Sequence, residues 1–263
     1  MKHKYITNLS AAGIGACLLL RVLQLLVLTD GSTGFGKLGA AYEGLNIAVS
    51  ALTVLVAAGI LVISSFFSKR QPVTAPDTTL SPALSVYSLI FAIYNLFAAG
   101  IFLLKGNEIG KPLNTLYLLL LLLSAVFFIF YGISGFGSVK CPKLLSVAPL
   151  LLCGYQLIAA FISYTGMANV SDNVYECLFL CCCLFFFLLH GKIISSVDMR
   201  RSARLMLPTA WLTILFGLIT SVPPIVVAIL GGSSLLHTPI ATSVASLFPT
   251  IYAALFASAL YKK

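Results

Sequence analysis

Arg21 offers the most chemistry of any residue in the chain, because it stands inside an unbroken apolar run from Asn8 to Leu28. A guanidinium in hydrocarbon is costly, and ionisable groups at such depths default to functional roles. It lies seven residues from the end of that run, about 10 Å at the helical rise. From there it could pack or snorkel toward headgroups, pair with an acid, or contact an ion or ligand. Gln24 falls on the same helical face and lengthens the polar stripe. Glu43 and Glu176 stand near the starts of later apolar runs, where a carboxylate suits the positive end of a helix dipole. Asn173-x-x-Glu176 also has the spacing of a capping box. Asn46, Asn95, Asn114, Tyr117, Tyr155 and Gln156 are further polar side chains within apolar stretches. Polar groups taken out of water need partners. This set therefore either bonds across helices or lines a water-filled pocket. Arg21, Gln24, Glu43, Asn46, Asn95, Tyr155, Gln156 and Glu176 form the candidate ligand-binding group.

Other residue types point to less. Six of the seven cysteines, Cys17, Cys153, Cys177, Cys181, Cys182 and Cys183, fall within apolar segments without the loop geometry or neighbouring ligands of a metal site, and read as small packing residues. No cofactor is expected. His190 ends an apolar run beside Lys192, and His237 sits in a connection; neither has an evident catalytic partner. Lys192, Arg200, Arg201 and Arg204 form the densest basic cluster, suited to anionic lipid headgroups at about 1 kcal/mol per residue. Asn169-Val170-Ser171 is a glycosylation sequon, meaningful only in a eukaryotic secretory pathway.

The elements that carry these residues are set by composition. Hydrophobic residues make up 60% of 263 positions and charged residues 9%, and mean hydropathy is +1.05. A soluble domain carries about 25% charged residues, so lipid must act as solvent for most of these side chains. The formal charge of +9 does not indicate a nucleic-acid partner, because the basic residues sit in short clusters between apolar runs and form no continuous face. Ile14-Gly15-Ala16-Cys17 loosely matches a lipoprotein signal, but the apolar run continues through Leu28, which argues against cleavage.

Eight runs are long enough to span: Asn8 to Leu28, Leu45 to Phe67, Ala83 to Leu104, Leu113 to Ile133, Leu144 to Tyr164, Val174 to Leu189, Leu207 to Leu230 and Ile240 to Leu260. Gly and Pro punctuate the gaps, and Pro82, Pro112, Pro208 and Pro239 stand near expected helix starts. Pro223-Pro224 and Pro249 should kink the last two spans. Pairs such as Ala12 and Ala16, or Ala253 and Ala257, permit close helix contact. Alternate connections and tails collect Lys2, Lys4, Lys69, Arg70, Lys140, Lys143, Lys192, Arg200, Arg201, Arg204, Lys262 and Lys263, against Lys37, Lys105 and Lys111 on the other side. The positive-inside rule then places both termini in the cytoplasm and most acids outside.

A duplication is expected. Leu20-x-x-x-Gln24-Leu25 and Thr33-Gly34 recur as Leu152-x-x-x-Gln156-Leu157 and Thr165-Gly166 at an offset of 132. Tyr42-Glu43 recurs as Tyr175-Glu176, and the Pro82/Pro112 spacing of 30 matches the Pro208/Pro239 spacing of 31. The fold class expected is an all-α polytopic membrane bundle with a parallel four-plus-four repeat, 1–138 and 139–263, whose interface is the natural place for a site.

Arg21-Val22-Leu23-Gln24-Leu25, Asp30, Thr33-Gly34-Phe35 and Asn169-Val170-Ser171 together resemble small multi-pass membrane proteins of Gram-positive bacteria that have no assigned function. The resemblance implies a bacterial plasma membrane and brings no activity or functional residues. Membrane lipids are the expected partners, with a small molecule as ligand. A solute or lipid-related transporter or binding protein leads, a non-transporting scaffold or sensor subunit follows, and a membrane enzyme comes last because no catalytic constellation is evident.

Overall fold

The computed structural model describes residues 2–30, 37, 39–70, 81–104, 112–137, 141–164, 171–232, 235–236 and 239–261. Its long elements are eight helices: α1 (Lys2–Leu28), α2 (Ala40–Arg70), α3 (Pro82–Leu104), α4 (Pro112–Ser134), α5 (Ala148–Tyr164), α6 (Ser171–Ile194), α7 (Met199–Ile229) and α8 (Ile240–Tyr261). A 3-10 turn, Lys143–Val147, leads into α5. Each helix, α5 together with the turn that precedes it, provides a segment long and apolar enough to cross a membrane. The chain is an all-helical, multi-pass membrane protein, since only structures that satisfy their own backbone groups can span hydrocarbon.

Several helices run past the apolar stretches that betray them. α2 and α6 exceed their expected spans at both ends, and α7 starts at Met199, eight residues before Leu207. Hydropathy marks only the part of a helix inside hydrocarbon; the backbone keeps its hydrogen-bond ladder through the headgroup layer, where polar side chains are welcome. Pro208 is therefore a helix-interior residue, contrary to the expectation that it opens its span. A proline there leaves the carbonyl four residues earlier, that of Arg204, without its ladder donor. The hydroxyl of Ser68 on α2 donates to that carbonyl, so a neighbouring helix restores what the proline removes. Pro223, Pro224 and Pro249 likewise lie within continuous helices.

Helices α3, α4, α5, α6, α7 and α8 pack in sequence, and α8 returns to α3, closing a ring. α1 and α2 pack on each other and on the outside of α7. Most bonds between helices fall toward the two ends of the bundle, with Tyr87 on α3 donating to the Phe248 carbonyl of α8 between them. Ser68 to Arg204, Ser146 to Ser195 and His190 to Tyr252 tie the end rich in basic residues. Arg21 to Asp172, Gln24 to Asn46 and Tyr164 to Glu176 tie the other. The four consecutive hairpins match between the two halves, but packing across them does not follow one two-fold relation: α7 receives α1 and α2, whereas its counterpart α3 packs on α4 and α8.

The core gathers where α4, α6, α7 and α8 meet, around Phe127, Phe128, Phe186, Phe187, Met206, Leu215 and Tyr252. α7 supports four neighbours by presenting small residues at them: Ala203, Ala210, Gly217 and Ser221 are all buried, at spacings of seven, seven and four. A β-carbon at Gly217 would stand 1.9 Å from Thr250 Oγ1 and 2.8 Å from a Phe179 ring carbon. Ala253 is buried as expected, but Ala12 and Ala16 face outward; the packing face of α1 is Ile14, Cys17, Arg21, Leu25 and Leu28.

Candidate functional site

The polar residues flagged in the sequence separate into two groups. The first is a closed network. Arg21 is 3% exposed, donates to Gln24 Oε1 at 2.5 Å and pairs with the carboxylate of Asp172 on α6, itself 13% exposed. Its guanidinium also lies over the Tyr175 ring, 4.8 Å from the centroid. Gln24 passes the chain on, donating to Asn46 Oδ1 of α2 at 2.9 Å. Arg21 pairs with an acid, and Arg21, Gln24 and Asn46 join α1, α2 and α6 and are not among the residues that line the cavities described below. Glu43 is exposed in the first turn of α2.

The second group lines a cavity. α3, α4, α5, α6 and α8 surround a space of about 570 Å³ whose walls include Asn95, Tyr155, Gln156 and Glu176. Its volume falls within the range of about 300–1,000 Å³ spanned by small-molecule sites. Its polar rim is at the bundle end opposite the basic cluster. There Tyr164 Oη donates to Glu176 Oε2 at 2.5 Å, and Tyr155 Oη to the Leu113 carbonyl at 3.1 Å while its ring stacks on Tyr117 with centroids 5.2 Å apart. Ser163, Thr242 and Ser246 complete the rim. The floor is apolar, with Phe91, Phe128, Leu180 and Phe187.

Two polar groups in this lining have no partner. Asn95, 2% exposed, leaves its Nδ2 without an acceptor, and Ser124, 1% exposed, leaves its hydroxyl unbonded. Unsatisfied buried groups cost roughly 1–3 kcal/mol each and call for explanation. Counted along their helices, Glu176 is about 8 Å, Asn95 about 14 Å and Ser124 about 18 Å from the rim-side helix end. A carboxylate near the mouth and hydrogen-bonding groups below it thus stand at increasing depth. A smaller space of about 20 Å³, room for a single water, adjoins Glu176, Thr242 and Ser246, and the partnerless Tyr175 hydroxyl belongs to its wall.

Sequence reasoning missed several of these residues. The capping box at Asn173 is corrected: α6 begins at Ser171, so Asn173 is inside the helix, buried, with both side-chain polar atoms partnerless, and Glu176 is beyond the first turn and free to face the cavity. Ser124 carried one signal, a hydroxyl alone in the Leu118 to Phe130 run. Tyr164, Thr242 and Ser246 carried none that distinguished them from ordinary helix-end residues. His190, fully buried, bonds the Tyr252 hydroxyl through Nε2 at 2.8 Å amid the rings of Phe127, Phe186 and Phe256. Its Nδ1 has no partner.

Arg200, Arg201 and Arg204 are exposed on the first turns of α7, and Lys192 is half-buried near the end of α6. Among the described residues no group of three His, Cys, Asp or Glu gathers to hold a metal ion. Cys153 and Cys183 belong to the cavity lining. The sequon asparagine Asn169, His237, Lys105 and Lys111 lie outside the described residues. No protein-family model matches the chain, and no curated protein or solved structure matches it either.

Proposed function

We propose that this chain is a membrane-embedded binding protein or transporter for a small amphipathic molecule that enters the five-helix cavity from the side opposite the basic clusters. The observation that carries this reading is the pair of partnerless, buried polar groups, Asn95 and Ser124, in the lining of a ligand-sized space. A ligand in this space would give both groups the partners they lack. Counting lysines and arginines puts the cavity mouth outside the cell and both termini in the cytoplasm, and the plasma membrane is the compartment that fits such a mouth. α3 and α4 from the first half and α5, α6 and α8 from the second supply the walls, so the cavity lies between the halves whether or not they descend from one repeat. Arg200, Arg201 and Arg204 then meet anionic headgroups on the cytoplasmic face.

The alternative, a non-transporting scaffold or sensor subunit, draws support from the closed Arg21 network, which is a means of holding helices together and nothing more. Thermal-shift measurements on detergent-purified protein against a panel of small solutes and lysolipids test the choice. Stabilisation of the native chain that disappears in Ala245→Trp, whose ring fills the cavity, is the expected result. Equal shifts in both proteins, or none in the native one, would leave the scaffold reading.

A further inference from the structure

We propose that the ligand of this cavity is an organic cation, an ammonium-bearing amphiphile whose charge is answered by Glu176; the inference rests on the cavity being a ligand site. Glu176 is half-buried and lines the cavity. Among the described residues it receives one donor, the Tyr164 hydroxyl, and no lysine or arginine pairs with it. Its neighbour Asp172, one turn earlier on the same helix, is already neutralised by Arg21. No lysine, arginine or histidine among the described residues contributes to the lining. Among the described residues the space therefore carries one negative charge that no cation answers, half-buried in its wall, where an arriving cation gains more than it would in open water.

The walls suit a soft cation better than a metal ion. Tyr94, Tyr117, Tyr155 and Tyr164 belong to the lining, and aromatic faces attract ammonium groups by their quadrupoles. An inorganic cation needs a tight cage of oxygens, whereas here one carboxylate stands over about 570 Å³ of mostly aromatic and aliphatic surface. An anion would meet Glu176 with nothing to offset it. Below the charge, the free Nδ2 of Asn95 asks for an acceptor. It lies about 6 Å deeper than Glu176 by the helical rise. Together these describe a molecule with an ammonium head, a carbonyl or ether oxygen a few bonds away, and an apolar end against Phe91, Phe128 and Phe187.

Benzoylcholine and its uncharged carbon isostere, 3,3-dimethylbutyl benzoate, have this shape and differ only in the charge. Their affinities are compared by thermal shift and by isothermal titration on the full chain in detergent, alongside Glu176→Gln, Glu176→Ala and Asp198→Asn, the last at the opposite end of the bundle. Benzoylcholine is expected to bind at least tenfold tighter than the isostere to the native chain and to Asp198→Asn. Glu176→Gln and Glu176→Ala should each erase the difference while still binding both. Equal affinities in the native chain, or an undiminished preference in either Glu176 variant, overturn the cation inference and leave the cavity reading intact. If one Glu176 variant does not fold, the other decides: loss of the preference supports the inference, and its retention overturns it. Binding of neither probe to the native chain overturns both.

Discussion

Replacing Asp172 with asparagine keeps the shape of the side chain and removes the charge that answers Arg21. At an effective dielectric of about 20, two unit charges about 4 Å apart are worth roughly 4 kcal/mol. Breaking a buried pair by removing one partner costs about 3–5 kcal/mol. Arg21 is 3% exposed, so water offers little relief, but Gln24 and the Tyr175 ring remain. The expected cost of Asp172→Asn is therefore at the lower end, about 3 kcal/mol. Arg21→Met should cost about 2 kcal/mol, because Asp172 is 13% exposed and can recruit water or a proton. The double variant carries neither stranded charge and should recover about 2 kcal/mol of the summed losses. Unfolding free energies of the four proteins, measured by titrating lipid–detergent micelles with SDS, close this double-mutant cycle. Losses that add within about 0.5 kcal/mol would falsify the pairing, since independent sites add to that precision.

Gly217→Ala should cost several kcal/mol in the same assay, because Thr250 and Phe179 leave its methyl no room and α7 would have to part from α6 and α8; a loss below about 1 kcal/mol would mean the helices yield easily. Asn95→Leu should raise the melting temperature of the ligand-free protein, as it replaces an unsatisfied donor by an apolar group at an energetic gain of about 1–3 kcal/mol, while abolishing ligand-induced stabilisation; a lowered melting temperature would show that the amide is already satisfied. Burial pushes the Cys141 thiol, in the α4–α5 connection, up to about 11. Since the thiolate is the reactive form, its alkylation by maleimide, followed by mass spectrometry of its peptide, should rise about tenfold per pH unit from pH 7 to 10; levelling off near pH 9 would indicate an ordinary thiol.

What could be read from the sequence and what could not divide along a physical line. Runs of about 20 apolar residues cannot avoid crossing a bilayer, so eight spans were visible. Which face of a span meets protein and which meets lipid was not, since both surroundings accept leucine alike. Leu19 and Leu23 lie in lipid, while Leu25 and Leu28, on the same helix, are packed. Only polar residues break this tie, and they did so for Asn95, Tyr155, Gln156 and Glu176. Arg21 left its role open among headgroups, an acid and a ligand, and no choice of acid was legible. Asp30, Glu43, Asp172 and Glu176 were comparable in depth and sign, and only the α1–α7–α6 packing selects Asp172. The cavity required knowing that α3 and α4 close against α8 and α5, a pairing written in contacts between aromatic rings such as Tyr94 and Phe248.

The Arg21–Asp172 pair also bears on how the protein is made. Its two members are 151 residues apart in the chain. At 5–20 residues per second, a ribosome takes roughly 8–30 s to deliver the second after the first. Throughout that interval the α1–α2 hairpin is in the membrane without α7, the helix it docks on, and its guanidinium has no carboxylate from α6. A site about 10 Å from the end of the span makes the wait tolerable, for a long side chain can hold its charge in the headgroups until the partner arrives. Docking of the first two helices must then wait until α6 and α7 have been made, and the ion pair is the latch that holds it.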